Sequence, residues 1–291
     1  MTRRAPSDPA ASARARLLNL ARETGVSFDE ILVRYGTERL LYRLGASPFR
    51  DRFLLKGATL FAAWTGARHR GTRDADLLGF GDFDAAGLRN IVEAIIVQPV
   101  AVPDGLSFDP RTIAVEDIRD AAEYGGYRVK LEARLTGAEI HLQLDVAIGD
   151  SVVPGPVEVE LPIMLDGPAA RLRSCPMETV VAEKFEAMVR YGLANSRLKD
   201  YYDLWYILSR MALDPATVAS AVSATFRRRG TALPDRTPSG LTDAFADEDR
   251  RKQWRSFLDR TAAEERPALD EVIRSIRMRI MPIVERALAL A

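Results

Sequence analysis

Two neighbouring runs of alternating apolar and polar residues constrain the fold of this chain most strongly. The apolar residues take every second position, as strands with one buried face require: Tyr127, Val129, Leu131, Ala133 and Leu135, then Ile140, Leu142, Leu144 and Val146. The short interval between the runs predicts an antiparallel hairpin. Matching apolar against apolar residues predicts that Leu135 pairs with Ile140, and this register sets Lys130 opposite Asp145 on the polar face.

A second informative stretch lies upstream, between Phe53 and Gly66. Its first residues are apolar and end at Lys56-Gly57, which predicts a short buried strand followed by a turn. Apolar residues at helical spacing then predict a short helix that stops at Gly66. A Gly57-Ala58-Thr59 turn that leads into a helix presents backbone N–H groups, which suit a phosphate.

Two aspartates follow this helix at a spacing that suggests a metal site. In Asp74-Ala75-Asp76 the carboxylates lie at i and i+2, on the same side of an extended chain. With Asp145 from the polar face of the hairpin, they form a set of oxygen ligands suited to Mg²⁺. The alternative interpretation is a group of ordinary surface aspartates at strand ends.

The residues just before this pair are basic. Arg68, His69, Arg70 and Arg73 supply cationic groups, and arginine binds phosphate through two parallel hydrogen bonds. We therefore expect contacts to a nucleotide or to an RNA end. A solvated loop is the competing interpretation.

The second half of the chain contributes a lysine and two aspartates. Pro176 and Gly192 delimit a predicted helix from Met177 to Tyr191, with Lys184 in the middle of its apolar stripe. A lysine there requires an anion, or must extend its amine to solvent. Asp200 and Asp203 share one face of a later helix.

Composition excludes several classes of protein. The 291 residues include 41 basic and 41 acidic side chains, which argues against a general nucleic-acid coat protein. No apolar run is long enough to span a membrane, and no secretory signal follows Arg3 and Arg4. The single cysteine, Cys175, fits a cytoplasmic protein with a structural thiol, and two histidines are too few for a histidine-based metal site or triad.

We expect an α/β (α+β) protein with three segments. Helical periodicity predicts an N-terminal helical arm over residues 1–47. The strand patterns fall in a core over residues 48–165, and residues 166–291 are predicted to form a helical C-terminal domain.

Several of these motifs resemble one known family. They are Lys56-Gly57-Ala58-Thr59, Arg70-x-Thr72-Arg73-Asp74-x-Asp76-Leu77, Val180-Val-Ala-Glu-Lys184 and Arg197-Leu-Lys-Asp200-Tyr-Tyr-Asp203-Leu-Trp205. Together they resemble the nucleotidyltransferase toxins of the AbiEii/AbiGii type, over roughly half of the chain. The resemblance implies a polymerase-beta-like nucleotidyltransferase core with a mixed sheet. One departure is Ala58, where the family has Gly or Ser, because alanine tolerates positive φ less well than glycine.

The resemblance also implies roles for individual residues. Asp74, Asp76 and Asp145 would bind the metal and act in catalysis with Lys184 and Asp203. A larger set would bind the nucleotide: Lys56, Gly57, Ala58, Thr59, Arg70, Thr72, Arg73, Lys184 and Asp200.

The implied activity is Mg²⁺-dependent transfer of a nucleoside monophosphate from an NTP, with a pyrimidine favoured, to an acceptor hydroxyl. The implied acceptor is the 3′ end of tRNA, so that the toxin inhibits translation and growth. The implied partners are tRNA and a cognate antitoxin, and we expect a monomer with no membrane association. Two alternatives remain: an inactive nucleotide-binding or interaction module, and a nucleotidyltransferase that modifies a protein or a small molecule.

Overall fold

The computed structural model describes residues 8–66, 74–118, 125–261, 263 and 265–290. In these residues the helices are α1 Pro9–Thr24, α2 Phe28–Ala46, α3 Thr59–Thr65, α4 Ala85–Ile96, α5 Met177–Tyr191, α6 Leu198–Arg210, α7 Pro215–Arg228, α8 Glu248–Thr261 and α9 Leu269–Leu288. The strands are β1 Phe53–Lys56, β2 Asp74–Gly79, β3 Ser107–Ile118, β4 Gly126–Leu135, β5 Ala138–Ile148, β6 Val157–Glu160 and β7 Arg171–Ser174.

The strands form one mixed sheet in the order β3-β4-β5-β2-β1-β7-β6. Strands β3, β4 and β5 are antiparallel neighbours, and β1 and β2 are also antiparallel. Strand β2 runs parallel to β5, and β1 runs parallel to β7. The expected α/β class with a mixed sheet is therefore confirmed.

The described residues form two compact units, and the sheet, apart from Val157 of β6, belongs to the first. This unit contains the described residues up to Gly149 together with 158–174, and the second contains 150–157 and the described residues from Cys175 onward. Sequence alone gave three segments, with boundaries at residues 47 and 165, and that division stays a prediction.

The predicted hairpin is confirmed, but its predicted register is wrong by two residues. Leu135 pairs with Ala138, and Ile140 pairs with Ala133. Only Thr136 and Gly137 remain in the turn, and both have positive φ, 42° and 77°. This is the backbone of the tight hairpin turn whose twist matches that of its strands. A shift of two residues keeps every side chain on its face, so apolar matching could not separate the two registers.

The apolar face of this sheet packs against α2 and α4. Side chains from both helices meet those of β1, β2 and β5 in one core, which contains Leu41, Leu44, Leu77, Val92, Leu144 and Val146. Burial of one such aliphatic side chain contributes about 1.5–3 kcal/mol relative to exposure. The alternate residues of β2 and β5 therefore face the other side of the sheet, and among them are the aspartates.

The second unit is helical, and aromatic residues contribute much of its core. Tyr201 stacks on Phe245 with ring centroids 4.5 Å apart, and Tyr202 lies against Trp254 and Phe257. Tyr201 and Tyr202 have no exposed surface. The interpretation of these tyrosines as core residues, rather than a platform for bases, is confirmed.

Local signals in the sequence set several element boundaries. Helix α5 spans the predicted range, since Pro176 precedes it and Gly192 ends it. Strand β1 and helix α3 also form as predicted, and Gly66 closes α3 in the left-handed conformation. Cys175 is buried. Within the described part of the chain, no helix is long and apolar enough to cross a bilayer.

Candidate functional site

A row of charged residues crosses five strands of the first unit in register. From β1 to β3 the row is Lys56, Asp76, Asp145, Arg128 and Glu116. Residues paired across neighbouring strands point to the same face of a sheet, and neighbouring strands lie about 4.8 Å apart. The structure therefore brings Asp76 and Asp145 side by side on the face opposite α2 and α4.

Asp74 lies two residues before Asp76 on β2 and projects from the same face. Its partner on β5 is Gln143, which precedes Asp145 by the same interval. An open groove of about 690 Å³ adjoins Asp74, and its lining includes Lys130, His141 and Gln143. The three predicted carboxylates thus share one face of two neighbouring strands.

The carboxylate of Asp76 lies directly against the turn that follows β1. Gly57 has φ of 72°, and a Cβ atom at this position would lie 1.9 Å from Oδ2 of Asp76. Only glycine has both the backbone freedom and the space for this contact. The motif glycine and the motif aspartate are therefore parts of one local structure.

Ala58 is the position at which this chain departs from the family motif. Its φ and ψ are −68° and −25°, in the right-handed helical region that alanine prefers. Gly57, not the next residue, adopts the left-handed conformation. The substitution therefore introduces no backbone strain into the turn.

Asp145 is held by an arginine that lies opposite it on β4. Arg128 donates from Nε to Oδ1 at 2.9 Å and from Nη2 to Oδ2 at 2.8 Å, and the Gln143 amide also donates to Oδ1 at 3.1 Å. The hydrogen bonds to Asp145 raise the pKa of Arg128 against a smaller opposing effect of burial. The predicted partner, Lys130, is paired instead with Glu116.

The carboxylates of this site are the chemical type of ligand that binds a hard divalent cation, but they do not converge on one point in the structure. Carboxylate oxygens are the ligands that Mg²⁺ prefers, and Asp76 and Asp145 lie on adjacent strands. Among the residues that the structure describes, no three acidic, histidine or cysteine side chains converge closely enough to hold a metal ion. The bidentate pair with Arg128 accounts for the present direction of Asp145.

A second charged cluster lies in the helical unit, around Lys184 of α5. Its amine donates to Oδ1 of Asp200 at 2.8 Å and to Oδ2 of Asp203 at 2.9 Å. Asp203 has no exposed side-chain surface, and Asp200 and Lys184 are nearly buried. The lysine in the apolar stripe does meet anions, and these are the two aspartates of α6.

Arg197 completes this cluster through Asp200. Its Nε donates to Oδ2 at 2.5 Å, so both oxygens of Asp200 accept from cations. Burial would raise the pKa of Asp200, but the charges of Lys184 and Arg197 and their hydrogen bonds outweigh it, and the pKa is lowered. Asp200 is thus ionised in a nearly dry environment.

Some predicted residues lie outside the described part of the chain, and one relevant residue was missed. Arg68, His69, Arg70, Thr72 and Arg73 all fall between residues 66 and 74, which the structure does not describe.

Arg128 was not predicted as a partner of Asp145. The signal for it was the Thr136-Gly137 pair, because a two-residue turn with glycine fixes the register.

Comparison with known proteins gives a family for the chain. Residues 39–275 match the family described as "Nucleotidyl transferase AbiEii toxin, Type IV TA system". No curated protein matches. Two solved structures from Helicobacter pylori are similar. JHP933 has 14% identity and a TM-score of 0.47, and the match covers 87% of this chain and 90% of that one. A protein described as a candidate nucleotidyltransferase has 15% identity and a TM-score of 0.48, and the match covers 90% of this chain and 96% of that one.

The first unit therefore places paired carboxylates beside a glycine turn on one face of a mixed sheet. The family match covers most of the chain, and the chain belongs to the AbiEii nucleotidyltransferase toxin family. The predicted resemblance is therefore confirmed, and the protein is a nucleotidyltransferase. The family implies an NTP substrate, typically a divalent metal, and an antitoxin partner.

Proposed function

We propose that this protein transfers a nucleoside monophosphate from an NTP to an acceptor hydroxyl with Mg²⁺ and releases pyrophosphate. The observation that carries the proposal is the register that sets Asp76 beside Asp145, with Asp76 against Gly57. Asp74, Asp76 and Asp145 would hold Mg²⁺. The bound metal would stabilise the charge on the departing pyrophosphate and lower the pKa of the acceptor hydroxyl.

The chain's own groups would bind and orient the nucleotide. The Lys56-Gly57-Ala58-Thr59 turn would hold phosphate oxygens through backbone N–H groups and the Thr59 hydroxyl. Arg70, Thr72 and Arg73 would add further phosphate contacts. In the second unit, Lys184 would bind the triphosphate, and Asp200 and Asp203 would keep its amine charged and oriented.

The proposed acceptor is RNA, at the 3′ end of tRNA, and its modification would inhibit translation and growth in the cytoplasm. The resemblance of the sequence motifs implies this acceptor, and the family match supports the role as a toxin. We also propose that a pyrimidine nucleotide is the donor and that the protein acts as a monomer. A cognate antitoxin would then be required in the host cell.

The test is incubation of purified protein with each labelled NTP, Mg²⁺ and total RNA, followed by separation of the RNA. We expect label on a tRNA-sized species. Asp76→Asn should reduce this transfer at least about 100-fold, because a charge that stabilises the transition state is lost. Asp109→Asn is a control that makes the same change of charge at a half-buried aspartate of β3, where Asp109 forms a bidentate pair with Arg111.

If the label appears on a protein or a small molecule, that molecule is the acceptor instead of RNA. Nucleotide binding without any transfer would support the inactive-module alternative. Normal transfer by Asp76→Asn would show that the metal assignment is wrong.

A further inference from the structure

In the cross-strand row of charged residues, two negative side chains are direct neighbours, and each has a positive side chain on its other side. Asp76 and Asp145 are adjacent and carry the same charge, which is unfavourable unless cations lie beside them. Lys56 flanks the pair on β1, and Arg128 flanks it on β4. Two cations therefore stand at the positions that border the two carboxylates.

Arg128 is directed to Asp145 rather than to its other neighbour in the row. Glu116 lies opposite Arg128 on β3, but the carboxylate of Glu116 accepts from Lys130 Nζ, at 2.9 Å to each oxygen. Arg128 instead donates to both oxygens of Asp145. Asp145 thus has one strong cationic partner, and that partner has the planar fork that fits a carboxylate.

We propose that Arg128 is a positioning residue that competes with the divalent metal for Asp145. The inference rests on the proposed function, because it takes Asp145 as a metal ligand. A metal that binds Asp145 has to share oxygens that Arg128 already occupies, and it is repelled by the guanidinium charge. Arg128 therefore weakens metal binding in the nucleotide-free protein while it holds Asp145 next to Asp76.

The test is Mn²⁺ binding to the purified full chain without nucleotide, measured by electron paramagnetic resonance of free Mn²⁺. We expect Arg128→Gln to bind Mn²⁺ roughly tenfold more tightly than the natural chain, the magnitude that Coulomb's law gives for one charge beside a divalent ion in a solvated site. Structural damage would weaken binding instead. Arg128→Lys keeps the charge, so its affinity should stay within about threefold of that of the natural chain.

Two further variants define the site and the control. Asp76→Asn should lose the Mn²⁺ binding, which identifies the measured site. Arg134→Gln removes another arginine of β4 on the same face, one that pairs with the exposed Glu139, and should leave the affinity unchanged. A thermal melt of each variant confirms that it is folded.

Equal or weaker Mn²⁺ binding by folded Arg128→Gln overturns the inference. In that case, labelled-NTP transfer by the natural chain still supports the proposed function. Absence of Mn²⁺ binding in the natural chain and in every variant, together with absence of transfer, rejects both the metal site and this inference.

Discussion

At the scale of single residues, Gly57 shows how one position links the fold to the chemistry. Its backbone conformation forms the turn after β1, and its lack of a side chain admits the carboxylate of Asp76. Either property alone would favour glycine, and together they require it. The sequence motif therefore reflects a packing contact as well as a suitable turn for phosphate.

Gly57→Ala should disable transfer by displacing Asp76. The new Cβ atom overlaps Oδ2 of Asp76, so the carboxylate must move. We expect a loss in transfer rate of at least about tenfold, beyond a stability cost of about 1–2 kcal/mol from the positive φ. The measurement is the initial rate of nucleotide transfer by folded protein.

Gly25→Ala is the control for this experiment. Gly25 has a similar φ of 67°, but nothing lies within 4 Å of the added Cβ atom. It should show the same stability cost and a normal rate. Normal transfer by Gly57→Ala would mean that the position of Asp76 at the turn is irrelevant to catalysis.

At the scale of elements, α5 and α6 are joined by a buried ion cluster. From the sequence, Lys184→Met is expected to leave folding intact or improve it, because it removes a charge from an apolar stripe, and to abolish NTP binding. The structure changes this expectation, since Lys184 neutralises Asp200 and Asp203. Loss of one member of a buried ion cluster leaves the other charges uncompensated.

Lys184→Met should therefore destabilise the protein by roughly 3–5 kcal/mol, the usual cost of breaking a buried ion pair from one side. Urea unfolding at neutral pH measures the change. Lys199→Met serves as the control, because Lys199 is exposed on α6 and its replacement should cost less than about 0.5 kcal/mol. A fully stable Lys184→Met that fails to bind NTP would instead assign the lysine to the nucleotide alone.

The same cluster predicts a dependence of stability on pH. The pKa of Asp200 is lowered in the folded protein, so its contribution is fully present above the unfolded pKa of about 3.9 and is lost as the pH falls through the folded value. The free energy of unfolding should fall more between pH 5 and pH 3 in the natural chain than in Asp200→Asn. Parallel curves for the two proteins would contradict this assignment.

At the scale of the whole molecule, the metal is expected to serve the reaction and not the fold. The described residues contain large apolar cores in both units, whereas the carboxylate of Asp145 already has a cationic partner in Arg128. A weakly bound metal adds little to stability. EDTA should abolish transfer, and added Mg²⁺ should restore it.

The melting temperature provides the control for metal removal. It should change by less than about 2 °C with EDTA, because a small free energy moves the midpoint of a chain of this size only slightly. A large fall in the melting temperature would show a structural metal instead.

Local information in the sequence was enough to predict many elements. Capping residues and glycine positions predict the limits of α5. Hydrophobic period predicts the short strand β1 and the two hairpin strands. These signals act over only a few residues. The family and the mixed α/β class were also predictable, since the motifs retain their spacing.

Only the tertiary structure decided which charged groups meet. Apolar matching allowed registers that differ by two residues, and the turn geometry set Arg128, not Lys130, opposite Asp145. The sequence predicted that Lys184 requires an anion but not that Asp200 and Asp203 provide it. The physical reason is the distance along the chain over which each signal acts. The hydrophobic period within one element identifies its buried face, whereas pairing between charges depends on where separate elements come together in space.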